Sequence, residues 1–186
     1  MGGITPDRNP PVILVVGWSG SGKTTLMEKL VADLADRGLR VATVKHDAHG
    51  FELDQPGKDT WRHRRAGAVA TAISSPTGFA LVEGRASERP LEEILPLLAR
   101  VDIILVEGYK NLPYPKIEVI GPDSQDELAC LGDPLLFAVA SDRPRTLRVP
   151  CLSRDDAAGI ARLVLERAGL PYGVGKGCAW RLPSRR

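Results

Sequence analysis

The stretch GWSGSGKTTL, Gly17 to Leu26, decides the fold of this chain. Its Gly17, Gly22, Lys23 and Thr24 match the spacing G-x-x-x-x-G-K-[ST] of a phosphate-binding loop, or P-loop. Glycines let the backbone curl so that successive N–H groups point at phosphate, and the following helix adds the positive end of its dipole. An ordinary glycine-rich turn is the alternative, so the flanking segments must decide.

Both flanks favour the phosphate-binding interpretation. An apolar, β-branched run from Val12 to Gly17 predicts a buried strand. After the loop, apolar residues recur at helical spacing: Leu26, Leu30, Val31 and Leu34. In this strand–loop–helix context Lys23 would neutralise β- and γ-phosphate oxygens, and the Thr24 hydroxyl would ligate Mg²⁺.

Short apolar runs continue to alternate with helical patterns, which predicts parallel strands joined by crossover helices. Four more strands are predicted at Leu39–Lys45, Val101–Gly108, Lys116–Ile120 and Leu135–Ser141, with a closing helix from Asp155 to Gly169. Gly38 would end the first helix, Asp59 would cap a short helix through Arg65, and Pro96 would kink or shorten a helix that begins near Pro90. Ala68–Ser74 and Gly78–Gly84 read as an antiparallel hairpin. The predicted fold class is α/β: a three-layer P-loop NTPase fold, mostly parallel, with an inserted antiparallel hairpin.

The chain of 186 residues, 43% hydrophobic and 26% charged, suits one α/β domain better than two. We predict a flexible leader at residues 1–11, the nucleotide-binding domain at 12–170, and a basic, mobile tail at 171–186. The tail has four basic residues after Tyr172 and no acidic one.

Charge and composition exclude several classes of function. Lys and Arg outnumber Asp and Glu by only 25 to 23, so no global field points to nucleic acid or a membrane as partner. Apolar runs are too short for a signal peptide or a bilayer span. Three scattered cysteines, Cys130, Cys151 and Cys178, form neither a disulfide framework nor a metal knuckle, which predicts a reducing, cytoplasmic location.

Glu107 ends the apolar run IILV, Ile103–Val106, where P-loop proteins usually place an acidic residue. Such a carboxylate would hold Mg²⁺ through a coordinated water or polarise an attacking water, which makes Lys23 and Glu107 the candidate catalytic residues. A strand-end carboxylate without a chemical role is the alternative.

The loop after the second predicted strand carries His46, Asp47 and His49, and three interpretations stay open. These side chains would ligate Zn or Ni, contact Mg²⁺ and the γ-phosphate as a switch segment does, or simply face solvent. Farther on, Arg62 and Arg65 share a helical face that would bind a second phosphorylated ligand or only water.

Asp142 ends the strand-like segment VASD in the second half of the predicted sheet. Its carboxylate would accept two hydrogen bonds, from N1–H and the 2-amino group of guanine, which adenine cannot offer. Capping of the next turn is the equal alternative.

Four segments together resemble the molybdopterin-guanine dinucleotide biosynthesis protein B (MobB) family: GWSGSGKTTL, VKHDAHGFELDQPGKDTWRHRRAGA, ILVEGYKNLPYPKIEV and AVASD. The resemblance spans Val12 to Ala168. It implies a Mg²⁺-dependent, GTP-binding homodimer with weak GTPase activity, which acts as an adaptor in the attachment of GMP to molybdopterin. The implied partners are a separate molybdopterin guanylyltransferase and molybdopterin or its guanine dinucleotide, with no nucleic acid and no membrane.

Matched residue by residue, the resemblance implies a GTP site made of Gly17, Ser19, Gly20, Ser21, Gly22, Lys23, Thr24 and Thr25. It implies Mg²⁺ at Thr24 and Glu107, and assigns Asp59 and Arg62 to a loop element of the family. The segment IGPDSQDE, Ile120–Glu127, and the tail after Gly173 match nothing in the family.

Two other functions use the same loop: a small-molecule kinase, with Arg62, Arg64 and Arg65 as a lid, and a nickel-type metal-insertion GTPase, favoured by His46 and His49. Spacing assigns no arginine finger and no glutamine to orient water, so we expect the loop to hold GTP more than to hydrolyse it.

Overall fold

The structure, a computed structural model, describes residues 9–47, 50–52, 54–84, 87–122 and 128–172. Its internal contacts divide the chain into two compact units. One, the sheet unit, comprises Met1–His46 and Leu98–Arg186; the other, the inserted unit, comprises Asp47–Leu97. The predicted leader and basic tail lie mostly outside the described residues, and the single-domain boundaries stay a prediction.

The described residues form eight strands, four α-helices and one 3₁₀ turn. The strands are β1 Val12–Val16, β2 Val41–Lys45, β3 Ala70–Ser75, β4 Gly78–Glu83, β5 Ile103–Glu107, β6 Lys116–Ile120, β7 Leu136–Ser141 and β8 Cys151–Leu152. The helices are α1 Lys23–Asp36, α2 Asp59–Arg65, α3 Leu91–Ile94 and α4 Ala157–Ala168, with the 3₁₀ turn at Leu95–Leu98.

In the sheet unit six strands pair in the order β2-β5-β1-β6-β7-β8, and every pairing is parallel. Every residue of β5 and β6 is buried, as expected of central strands in a parallel sheet. Helices α1 and α4 pack against each other and contribute apolar faces to the core. Those faces are Leu26, Met27, Leu30 and Leu34 on α1, and Ile160, Ala161, Val164 and Leu165 on α4.

Glycine and a capping carboxylate set the helix ends. Gly38 follows α1 with φ of +90°, and Gly169 follows α4 with φ of +65°, so both predicted helix ends are confirmed. Asp156 precedes α4 and accepts a hydrogen bond at 2.9 Å from the backbone N–H of Gly159.

The inserted unit contains α2, the β3–β4 hairpin and α3. The hairpin is antiparallel, with Ala70 opposite Glu83 and Ser75 opposite Gly78, and confirms the predicted hairpin. The prediction that Asp59 caps α2 is wrong: Lys58 is the N-cap and Asp59 is the first helical residue, where its charge still favours the helix dipole. The expected effect of Pro96 is confirmed, since α3 ends at Ile94 and continues only as a 3₁₀ turn.

The predicted fold class is confirmed, with a six-stranded parallel sheet and a separate two-stranded antiparallel sheet. Strand β8 was not predicted, because two residues carry no readable periodicity. Among the described residues, none of the helices has the length and apolar character needed to cross a bilayer.

Candidate functional site

The candidate site lies where the parallel strands of the sheet unit end. Strand β1 pairs with β5 on one side and β6 on the other, and its carboxyl end runs into the loop Gly17–Gly22 that leads to α1. Glu107, the last residue of β5, is in register with Val15 of β1 and Lys45 of β2. Parallel strands present their carboxyl ends at one edge, so the loop and this carboxylate meet.

The backbone of the loop demands glycine. Gly17, Gly20 and Gly22 have φ of +140°, +74° and +93°, which side-chain-bearing residues rarely adopt. A Cβ at Gly17 would lie 2.3 Å from the carbonyl oxygen of Val119. No larger residue fits at position 17 unless the neighbouring strand moves.

Lys23 closes the loop on itself. Its Nζ donates to the carbonyl oxygens of Gly17, at 3.1 Å, and Trp18, at 2.7 Å. Burial lowers the pKa of the Lys23 ammonium, the nearby Glu107 carboxylate raises it, and the Lys45 charge lowers it again. The ammonium therefore lies on the loop itself, with hydrogen bonds that a phosphate oxygen can replace.

Thr24 and Glu107 come together from positions 83 residues apart in the chain. The Thr24 Oγ1 donates to the Glu107 carboxylate, 3.0 Å from both Oε1 and Oε2. The Glu107 side chain is only 11% exposed, and Lys45 Nζ lies 3.6 Å from its Oε1. A hydroxyl and a carboxylate at one point are hard oxygen ligands of the kind Mg²⁺ takes, so the residues fit the predicted ion.

The segment after Glu107 contributes groups that sequence reasoning missed. Tyr109 has φ of +53° and its ring stacks on His46, with centroids 4.3 Å apart. Lys110 Nζ lies 4.3 Å from the centroid of the Trp18 ring, and Trp18 belongs to the loop itself. Tyr109 and Lys110 lie in the segment ILVEGYKNLPYPKIEV, but their spacing in the sequence predicted no role for either residue.

A buried lysine holds that segment in place. Lys116 is 1% exposed, and its Nζ donates to the carbonyls of Lys110 (2.8 Å) and Leu112 (3.0 Å) and to Asp133 Oδ2 (2.6 Å). Three acceptors match the three donors of an ammonium. Lys116 therefore fixes the backbone carbonyl of Lys110 through a buried hydrogen bond.

Asp142 follows β7 and is bonded to an arginine. Its Oδ1 accepts from the backbone N–H of Arg154 at 3.3 Å, and its Oδ2 accepts from Nε at 2.9 Å and from Nη2. The hydrogen bonds from Arg154 hold the pKa of the Asp142 carboxyl below its usual value. The turn after β7 has another cap, because Ser141 Oγ accepts from the N–H of Arg143 at 3.2 Å.

Arg154 also reaches the loop Gly17–Gly22. Its Nη1 donates to the carbonyl oxygen of Ser21 at 3.2 Å. Sequence reasoning missed Arg154, since it follows the two-residue strand β8, which periodicity could not reveal.

The remaining predicted residues lie elsewhere or outside the described chain. Asp59 and Arg62 lie in the inserted unit and form an exposed ion pair at 3.9 Å. His49 is outside the described residues. Within the ranges described, no group of three or more His, Cys, Asp or Glu side chains could hold a metal ion.

The parallel sheet and the glycine loop after its central strand define the class: an α/β protein with the P-loop NTPase fold. Within that class, residues 12–142 match the family model described as molybdopterin guanine dinucleotide synthesis protein B, MobB. The chain belongs to the MobB family.

Individual relatives agree with this assignment. The molybdopterin-guanine dinucleotide biosynthesis adapter protein of Escherichia coli K12 is 38% identical over 166 residues, which cover 84% of this chain and 92% of the relative. The adapter protein of Haemophilus influenzae is 36% identical, over 72% of this chain and 76% of that protein. The crystal structure of Bacillus subtilis MobB superposes with a TM-score of 0.69 at 29% identity, covering 84% of this chain and 97% of its own.

Proposed function

We propose that this chain is a GTP-binding adapter, with weak GTPase activity at most, in the biosynthesis of molybdopterin guanine dinucleotide. The observation that carries the proposal is the meeting of Thr24 and Glu107 beside the loop that Lys23 closes. Family membership and the adapter names of the relatives support the pathway.

In this proposal the residues Gly17–Thr25 surround the phosphates of GTP. Lys23 exchanges its two carbonyl partners for β- and γ-phosphate oxygens, which replaces bonds to neutral acceptors by charge-assisted bonds to anionic ones. Thr24 and Glu107 would hold Mg²⁺, which when bound neutralises phosphate charge. Asp142 would accept hydrogen bonds from guanine.

We expect hydrolysis to be slow. The described residues of the sheet unit include no glutamine that could orient a water as GTPases do, and Arg154 is already engaged by Asp142 and Ser21. Slow hydrolysis would keep the nucleotide bound for longer, which suits an adapter. The partners we propose are a second copy of this chain, a molybdopterin guanylyltransferase, and molybdopterin or its guanine dinucleotide.

The test is Lys23→Ala, with Lys29→Ala as the matched control on the same helix. Lys29 lies on α1 and pairs with Asp155, away from the loop carbonyls. We expect K23A to lose at least about 100-fold in affinity for fluorescent GTP with Mg²⁺, because a charged hydrogen-bond donor at phosphate is lost, and K29A to bind as the parent does. Circular dichroism checks folding. A folded K23A protein that binds GTP as tightly as the parent would rule out a nucleotide site at this loop.

A further inference from the structure

We propose that Arg154 is a positioning residue for the phosphate-binding loop, which it ties through the Ser21 carbonyl to the Asp142 carboxylate at the end of β7. This inference rests on the proposed function, because it takes phosphate to be the ligand of the loop. It assigns a role to an arginine that lies 133 residues from the loop in sequence.

The Arg154 guanidinium is oriented before it reaches the loop. Nε and Nη2 both donate to Asp142 Oδ2, and the Arg154 backbone N–H donates to Oδ1. A planar guanidinium held at two nitrogens has little freedom left, so Nη1 points in one direction. That direction leads to the carbonyl oxygen of Ser21, 3.2 Å away.

The Ser21 carbonyl belongs to the peptide group that ends in the N–H of Gly22. Because a peptide is planar and trans, a bond that orients the carbonyl also orients that N–H to the opposite side. The N–H groups of such a loop are the donors that bind phosphate. Arg154 therefore sets the direction of one phosphate-binding donor without contacting phosphate itself.

Two further observations concern the contact between Arg154 and this peptide. Gly22 has φ of +93°, and a Cβ there would lie 2.9 Å from Arg154 Nη1, so the guanidinium packs directly on the glycine. The Ser21 hydroxyl is buried and has no hydrogen-bond partner among the described residues, so the serine side chain does not hold the loop. Glycine is the least constrained residue, so the contact with Arg154 restricts the orientation of this donor.

Charge alone does not account for this arrangement. Asp142 largely neutralises Arg154, so the pair adds little net field at the loop. The contribution is geometric, and Lys in place of Arg keeps the charge but loses the planar fork. Arg154→Lys should therefore resemble Arg154→Ala.

The experiment measures binding of two ligands, GTP and inorganic tripolyphosphate, each with Mg²⁺, by titration calorimetry. Tripolyphosphate has phosphates and no base, so it reports on the loop alone. We expect R154A and R154K to lose about tenfold in affinity for tripolyphosphate, since one donor is misaligned, and to bind GTP more weakly than the parent as well. K29A is the control, because it removes the ion pair with Asp155, the neighbour of Arg154, without touching the loop.

A double-mutant cycle tests the path through Asp142. D142A should weaken tripolyphosphate binding. The double variant D142A/R154A should bind no worse than R154A, because both changes break the same connection between Asp142 and the Ser21 carbonyl. Thermal unfolding without ligand should stay close to that of the parent in each variant, since the Asp142 side chain is 42% exposed and such pairs add little stability.

The outcomes separate two kinds of failure. A parent that binds both ligands with R154A unchanged overturns this inference and leaves the proposed function standing. Loss of GTP with unchanged tripolyphosphate binding also overturns it, because Arg154 would then act at the base. A parent that binds neither ligand overturns the proposed function and the inference together.

Discussion

Glu107 brings its carboxylate to the hydroxyl of Thr24 and is mostly buried there, so solvent screens its charge only weakly. Glu107→Gln keeps the shape of the side chain and an oxygen for Thr24, and removes the charge. We expect affinity for GTP within about tenfold of the parent, a weaker dependence on Mg²⁺ and slower hydrolysis. Glu166→Gln on the exposed side of α4 makes the same chemical change away from the site. Hydrolysis equal to the parent at every Mg²⁺ concentration would make Glu107 a structural residue.

The Asp142 carboxylate, which would select the base, is also bonded to Arg154. Arg154 supplies three donors and guanine would add two, whereas a carboxylate accepts about four, so guanine must displace at least one bond from Arg154.

We expect Asp142→Asn to lose GTP affinity and gain XTP affinity, because its NH₂ opposes the 2-amino group of guanine and complements the 2-oxo group of xanthine. Loss of the link to Arg154 affects all nucleotides alike, so the ratio of GTP to XTP binding isolates the base. A parent that binds GTP and ATP equally, or a D142N variant equally weak for both GTP and XTP, would leave Asp142 without a role in base choice.

At the scale of elements, the β3–β4 hairpin is a two-stranded sheet with exposed apolar residues. Ile73 is 57% exposed, Phe79 70% and Leu81 51%; Phe79 and Leu81 share one face of the hairpin and Ile73 lies on the other. Isolated two-stranded sheets are marginally stable in water, and the span Ala68–Ser74 has no Pro or Lys to protect an edge. A second copy of the chain is the partner we propose for this surface.

We expect the parent to be a homodimer and the double variant Phe79→Lys, Leu81→Lys to be monomeric at micromolar concentration, because two charges replace apolar contacts. Thr77→Lys adds a charge at the turn between the strands and should stay dimeric. Light scattering during gel filtration measures the mass. A monomeric parent would contradict the assignment of this surface.

On the scale of the whole molecule, three aspartates of the sheet unit have a pKa lowered by a neighbouring cation. Hydrogen bonds from Arg40, Lys116 and Arg154 lower the pKa values of Asp102, Asp133 and Asp142 respectively. A carboxyl whose folded pKa lies below its unfolded value of about 3.9 stabilises the fold above that pH. This stabilisation is lost as the pH falls through the folded pKa, so we expect the free energy of unfolding of the sheet unit to decrease below about pH 4.

Asp133→Asn isolates one of these contributions. It removes the counter-charge of the fully buried Lys116 ammonium and leaves one side-chain oxygen where the carboxylate offers two, one to Lys116 Nζ and one to the backbone N–H of Leu135. We expect a loss of about 1–3 kcal/mol in the free energy of unfolding at pH 7, measured with urea, and a difference from the parent that shrinks below pH 4 as Asp133 of the parent is protonated. Asp36→Asn, an exposed change at the end of α1, should show neither effect. A difference that does not vary with pH would show that the Asp133 charge is not what stabilises Lys116.

The sequence by itself determined the features that depend on neighbours along the chain. Glycine and lysine spacing from Gly17 to Thr24 specified the loop, because its backbone requires φ values that only glycine adopts freely. Hydrophobic periodicity located seven of the eight strands, and Glu107 could be assigned to the site because all parallel strands end at the same edge.

Only the tertiary structure decided which distant groups touch. The contacts of Arg154 with Ser21, and of Lys116 with the carbonyls of Lys110 and Leu112, depend on strand order and on the course of short loops. Periodicity reports whether a residue faces the core but does not encode its partner, and a two-residue strand such as β8 has no period at all. The loop could therefore be read from the chain, whereas the residues that hold it in position appeared only when the strands were placed side by side.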